Sequence, residues 1–282
     1  DPTNTAALAA AARGAAVVVN ALNPVYTHKA WRAEAPTLLE AAIRLSQVLG
    51  ATLMMPGNVY NFGESMPPLL REDTAQAALG VKGRIRIAME QRLEAATQDG
   101  SLRAVVIRAG DFFGSGTGSW LDQAIAKDLA RGRVTWPGPL DTATPWAYLP
   151  DLARTFVKVA QQRSRLDAFA RLHFAGHTVT GQQWVDALAS LAWEQGWLPQ
   201  GGALRVSTMP WPLLRVAGLF VPTLAALAEM RYLWRTPHQL DNRALCALIG
   251  EEPRTAFDDA VRQALQDLAL LAAPPLAATA AV

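Results

Sequence analysis

Met54-Met55-Pro56-Gly57-Asn58-Val59-Tyr60-Asn61-Phe62-Gly63, followed by Lys82-Gly83-Arg84-Ile85-Arg86 and Glu90, is the stretch that decides the fold. It reads as a strand end, a loop, and then a helix carrying cations at positions 82 and 86, one helical turn apart. Upstream, residues 15–22 (AAVVVNAL) form an apolar run that is β-branched at its centre, the pattern of a parallel strand covered on both faces. Pro36 opens a helix to about residue 49, which Gly50 ends, and residues 52–55 form the next strand. A helix over 84–97 ends near Gly100, a third strand follows over 102–108, and a helix over 120–130 is stopped by Gly132. Strand alternating with helix predicts an α/β chain with a right-handed doubly wound parallel sheet.

The flanks are simpler. Residues 3–13 read as an Ala-rich helix closed by Gly14. Beyond residue 131 the expected elements are short strands at 134–136 and 172–174, and helices near 150–162, 181–195, 211–220, 222–233, 242–249 and 255–271. This divides the chain into a core over 1–165, a smaller and mostly helical C-terminal lobe over 166–272 interleaved with it, and an Ala/Pro/Thr-rich disordered tail over 273–282. Internal repeats are not seen.

Composition narrows the function. The 282 residues are 51% hydrophobic, enough for one large domain or a domain with a lobe. A formal net charge of +2, with no basic run, argues against nucleic acid. Four lysines among 26 basic residues point to an Arg-rich, bacterial-like genome. The single Cys246 excludes a disulfide framework and a cysteine zinc site, suits a reducing cytoplasm, and reads as a buried small hydrophobe. The longest apolar run, 216–228, contains Pro222 and is too short to span a bilayer, so it reads as a buried helix pair and no membrane partner is expected. His173 and His177 lie in a strand-like segment and share no helical face, so no metal site is expected.

Ligands of open parallel sheets bind outside the carboxyl ends of the strands. Three such ends are visible: 20–24 (NALNP), 56–60 (PGNVY) and 109–114 (AGDFFG). At these residues the chain resembles the extended short-chain dehydrogenase/reductase superfamily of the NAD-dependent epimerase/dehydratase type. The 17–21 strand, 58–63 (NVYNFG), Glu72-Asp73 with 82–90, 108–114 (RAGDFFG), 146–153 (WAYLPDLA) and 240–250 stand in that family's order, covering the chain to about residue 272. The resemblance implies a Rossmann-like core and a substrate lobe. It also implies NAD or NADP as cofactor, a small carbonyl or hydroxyl compound as substrate, and an oxidoreductase or epimerase activity, with a homodimer as one possible state.

Two departures matter. The family's Gly-rich turn between its first strand and helix, where backbone N–H groups meet the cofactor pyrophosphate, does not precede Ala15. About two βα units are missing by this comparison. The chain is therefore expected to be an N-terminally incomplete form of a longer one, with the 15–22 strand left as an open edge and weak or absent dinucleotide binding by itself. The 114–118 segment (GSGTG) has the wrong spacing for a dinucleotide fingerprint; it reads as a substrate-side loop with free N–H groups or as a plain flexible loop.

The second departure concerns the chemistry. The family's Tyr-x-x-x-Lys pair is replaced by Lys82 and Arg86, and Pro56 falls at or beside its Ser. Arg cannot exchange a proton near neutral pH, whereas Lys82 could act as a base only with a lowered pKa. Three readings stay open for the pair: altered catalysis, recognition of an anionic group without redox chemistry, or a solvated helix face. Lys82, Arg86 and Tyr60 are the catalytic candidates. The resemblance puts Asn20, Ala21, Pro56, Asn58, Lys82 and Ala109 against the cofactor, and Asp111, Phe112 and Tyr148 against the substrate. Trp146 fits core or pocket wall; Arg231, Trp234 and Arg235 fit the lining of the substrate lobe or surface packing. The rival function is a redox-inactive dinucleotide-binding sensor or interaction protein on the same fold.

Overall fold

The computed structural model describes residues 1–199 and 201–271. In chain order its first half runs α1 (Thr5–Ala11), β1 (Val17–Val19), α2 (His28–Leu49), β2 (Thr52–Gly57), β3 (Leu69–Leu70), α3 (Val81–Ala96), β4 (Arg103–Arg108), β5 (Asp111–Phe113), β6 (Arg133–Trp136) and β7 (Ala143–Tyr148). The second half runs α4 (Leu149–Gln162), β8 (Phe169–His173), β9 (His177–Thr180), α5 (Gly181–Glu194), β10 (Arg205–Thr208), α6 (Trp211–Ala217), α7 (Pro222–Glu229), β11 (Gln239–Leu240), α8 (Arg243–Ile249) and α9 (Phe257–Asp267).

The central sheet is parallel, in the order β1-β2-β4-β8. Side chains alternate across it with period two. Leu53, Met55, Ala104 and Val106 face α2 and α3, packing on Leu39, Ile43, Met89 and Leu93. Met54, Val105 and Ile107 face the other side, against Leu152 and Val159 of α4 and Leu245 and Leu248 of α8. Helices on both faces of a parallel sheet confirm the α/β, Rossmann-like class. Since β8 belongs to this sheet, the chain beyond residue 165 returns to the core before entering the lobe.

A second, mixed sheet, β5-β7-β9, floors an aromatic cluster. Trp146 lies at its centre, with ring centroids 4.7 Å from Trp184, 5.5 Å from Trp234 and 6.2 Å from Phe113. Trp146 and Trp234 are thus core side chains rather than pocket wall or surface.

Several expectations need correction. Strand β1 spans three residues and is only partly covered, with Val19 exposed, because it pairs with β2 alone. Pro36 sits inside α2, not at its start. The helix starts at His28 because Thr27 caps it, its Oγ1 accepting the Ala30 N–H at 3.2 Å. Burial of Trp31, Ala35 and Leu39 along one face holds the helix together across the proline's missing donor. The 120–130 segment is no α-helix: a wide turn over Leu121–Ile125, closed by the Ala126 N–H on the Leu121 carbonyl, is followed by a tight turn at Leu129–Arg131. Its start is fixed by Asp122, which accepts the Gly118 and Ser119 N–H groups. Helices α6 and α7 are short and far from buried, exposing Leu213, Val216, Leu219, Phe220 and Val221. Cys246 is half-buried. The tail, 273–282, lies wholly outside the described residues.

Candidate active site

The carboxyl ends of β2 and β4 open into a cleft of about 720 Å³. Asn58 and Tyr60 follow β2, Asp111 and Phe112 follow β4, Arg86 reaches in from α3, and Thr223 and Leu227 of α7 close the opposite side. Five of the residues singled out in the sequence therefore meet here: Asn58, Tyr60, Arg86, Asp111 and Phe112.

The others do not line it. Asn20 is buried at the end of β1, its N–H on the Met54 carbonyl at 2.9 Å, and Ala21 beyond it is exposed. Pro56 contributes only a carbonyl, 3.5 Å from Arg86 Nη1. Ala109 is fully buried, its N–H on the Gly57 carbonyl. Tyr148 packs on Phe113 at 5.3 Å between ring centroids.

Lys82 and Arg86 are both buried, which removes the solvated-face reading. Their environments differ. The Lys82 ammonium donates to the Ala226 carbonyl at 2.9 Å and lies 3.7 Å from the centre of the Tyr26 ring. Burial lowers its pKa to about 8, against a smaller opposing pull from Glu229. It is sealed under α7 and does not border the cleft. Arg86 does border it. Its Nη2 donates to Asn23 Oδ1 at 2.9 Å, its guanidinium lies 5.1 Å from the Trp31 ring, and its Nε is buried without a partner. Among the described residues neither cation forms an ion pair with a carboxylate. A buried guanidinium with a spare donor on a cleft wall suits an anionic or strongly polar ligand.

The hydroxyls of Tyr26 and Tyr60 are 3.4 Å apart. Burial, reinforced by the nearby Asp111 charge, pushes the Tyr60 phenol up to about 12. Burial also lifts the Asp111 carboxyl to about 7, so at neutral pH it populates both protonation states. Tyr60 is held in place by the chain around it: its N–H donates to Asn58 Oδ1 at 3.0 Å, and the next residue, Asn61, donates to Glu90 at 3.0 Å. Glu90 in turn takes a two-pronged ion pair from Arg108, at 3.0 and 2.6 Å, and a contact from Arg171. This buried network pins α3, β4, β8 and the Tyr60 loop to one another. His173 completes it as a neutral ring, its pKa lowered to about 4 by burial and by Arg108; Nδ1 faces the Leu70 carbonyl and Nε2 faces Arg108.

The 114–118 loop lines the cleft, the position of a substrate-side loop, but not all of its N–H groups are free. The Ser115 N–H donates to Asp267, and those of Gly118 and Ser119 to Asp122. Tyr26, Trp31 and Trp120 line the cleft without having been singled out, although Asn23 and Pro24 lie in a flagged strand end. No sequence signal joins Tyr26 and Trp31 to Arg86, because the pairing is made across the α2–α3 interface. Among the described residues no metal-binding group of His, Cys, Asp or Glu occurs.

Comparison with known proteins agrees with this architecture. MoeE5 in complex with UDP-glucose and NAD superposes with a TM-score of 0.66 at 17% identity, over 93% of this chain and 82% of that one. The UDP-glucose 4-epimerase of Thermotoga maritima gives 0.69 at 12% identity, over 96% and 83%. The UDP-glucuronic acid 4-epimerase of Bacillus cereus in complex with NAD gives 0.72 at 11%, over 96% and 79%. At such identities the likeness speaks to the fold. No curated protein sequence matches the chain. The profile of the NAD dependent epimerase/dehydratase family matches residues 4–170, more than half of the sequence, with the Asn58–Gly63 loop, α3 and the β4 end inside it. The chain belongs to the NAD-dependent epimerase/dehydratase family.

Proposed function

We propose that this protein binds NAD or NADP and interconverts a hydroxyl and a carbonyl on a small anionic substrate of the sugar-nucleotide class, with Asp111 rather than Lys82 handling the proton. The observation that carries this reading is the juxtaposition of Arg86, Tyr60 and Asp111 around one cleft at the strand ends, while Lys82, at the family's Tyr position, is sealed behind Tyr26 and α7. The unpartnered Arg86 Nε and the polar strand ends fit a dinucleotide, with Asn58, Tyr60 and Arg86 as the residues that would hold it. When bound, that cofactor supplies hydride acceptance and donation. MoeE5, bound to UDP-glucose and NAD, supports the substrate class.

The chain's own part is then positional and acid–base. Arg86 holds negative charge in a low-dielectric wall. Asp111, with a pKa near the working pH, takes a proton from a substrate hydroxyl or returns it to a carbonyl. Tyr60 keeps its proton through the cycle and donates a hydrogen bond.

The test is turnover with oxidised or reduced cofactor over a panel of sugar nucleotides and small carbonyl compounds, alongside a separate cofactor titration. Asp111→Asn is expected to lower kcat by about 100-fold or more, whereas Lys82→Met keeps kcat within about threefold. Arg86→Met is expected to raise the cofactor Kd or substrate KM by about tenfold or more. Loss of turnover in Lys82→Met with Asp111→Asn unaffected would return the chemistry to Lys82. Replacement of the family's Tyr-x-x-x-Lys favours a second reading, a redox-inactive dinucleotide sensor; cofactor binding with no turnover on any substrate would establish it.

A further inference from the structure

We propose that the α6–α7 hairpin docks this protein on an anionic membrane surface. Gly218 allows the two helices to cross closely: a Cβ there would meet the Ala225 backbone at 2.9–3.0 Å. The turn connecting them is exposed and apolar. Leu219 and Phe220 at its tip are 79% and 83% exposed, with Leu213, Val216 and Val221 beside them also exposed. Five large apolar side chains on one hairpin tip form a patch that calls for a partner.

The charge around the patch selects that partner. Between Gly201 and Pro237 the sequence holds four arginines and a single acid, Glu229, in a chain whose total formal charge is only +2. Glu229 is already engaged by His28 and by the Lys82 N–H. Arg215, Arg231 and Arg235 line one cavity of about 750 Å³ that Leu219 also borders, on the side of α7 away from the substrate cleft; Glu64 is the one other acid there. The Arg231 Nε is buried and unpartnered. Apolar side chains flanked by arginines match the boundary between acyl chains and anionic headgroups. A second copy seated symmetrically on the same face would bring these arginines against each other. No helix of the described residues is long and apolar enough to cross a membrane, so the contact is a surface one.

The test is co-sedimentation of the full chain with phosphatidylcholine vesicles, with and without phosphatidylglycerol. Binding to the anionic vesicles that weakens with salt is expected. Leu219→Gln with Phe220→Gln should cut it by about tenfold or more, and each of Arg215→Gln, Arg231→Gln and Arg235→Gln by about fivefold. Circular dichroism of every variant checks that the fold is retained. No preference for the anionic vesicles overturns the proposal, as does binding unchanged in the Leu219/Phe220 variant. It is equally overturned by a concentration-dependent dimer that the same variant abolishes while vesicles bind nothing.

Discussion

The half-buried Asp111 on the cleft wall and the buried Lys82 are titratable groups whose shifts run in opposite senses, and stability should record both. The Asp111 carboxyl has its folded pKa raised from 3.8 to about 7. Between those values the folded state holds the extra proton, so its contribution to stability is full below about pH 4 and is lost as pH rises to 7. Lys82 has its folded pKa lowered from 10.5 to about 8. The unfolded chain holds the extra proton in that window, so stability rises with pH from 8 toward 10.5. Between pH 4 and 6.5 the buried His173 and His177, each lowered to about 4, pull the other way, so the two contributions are read from urea midpoints of wild type against each variant over pH 4 to 10. Asp111→Asn should remove a contribution that falls from pH 4 to 7, and Lys82→Met one that rises from pH 8 toward 10.5, the latter with a neutral to stabilising effect of up to about 2 kcal/mol at pH 7 because an unpaired buried charge is removed. A difference in stability between wild type and Asp111→Asn that does not fall between pH 4 and 7 would contradict the Asp111 assignment.

At the scale of elements, α3 decides where the chemistry sits. It begins at Val81 on Gly80, turns Lys82 toward α7 and Arg86 toward the cleft, and presents Gly83 to the Tyr60 loop so closely that a Cβ would meet the Tyr60 carbonyl at 2.6 Å. Farther along, Glu90 anchors the helix to Arg108 and Arg171 and to Asn61 beside Tyr60. Glu90→Gln leaves Arg108 fully buried without its counter-charge. The expected loss is about 3–5 kcal/mol in chemical denaturation. A loss under about 1 kcal/mol would mean that the network is not what holds the loop. The helix and its two cations were legible in the sequence, since a one-turn spacing sets a common side. Which cation faces a ligand was not, because that depends on α7, some 140 residues later in the chain.

For the whole molecule, the exposed sheet edge has consequences of its own. Strand β1 pairs on one side only among the described residues, and Val19, Leu22 and Val25 are exposed near it. Such an edge templates association. Val19→Lys should delay the onset of aggregation in concentration-dependent light scattering while changing stability by no more than about 0.5 kcal/mol. Unchanged aggregation would move the liability elsewhere, with the α6–α7 tip the next surface to examine. The order of strands and helices around this sheet was readable because burial on both faces imposes apolar runs, and long helices such as α2, α4 and α5 carry an amphipathic periodicity. The short elements beyond β5 were less so: two- to four-residue strands and single turns are set by what they pack on.

The sequence by itself determined the alternating α/β order, the family, and the three strand ends around which a ligand site is built, because these follow from local periodicity and from the chemistry of adjacent residues. Only the tertiary structure decided that Arg86 lines the cleft while Lys82 is sealed, that Asp111 borders the same cleft with its carboxyl pKa raised by burial, and that the presumed buried pair over 211–233 carries an exposed apolar tip beside an arginine cavity. Burial and pairing are made by segments far apart in the chain, and a pKa is set by those surroundings rather than by the residue that carries it.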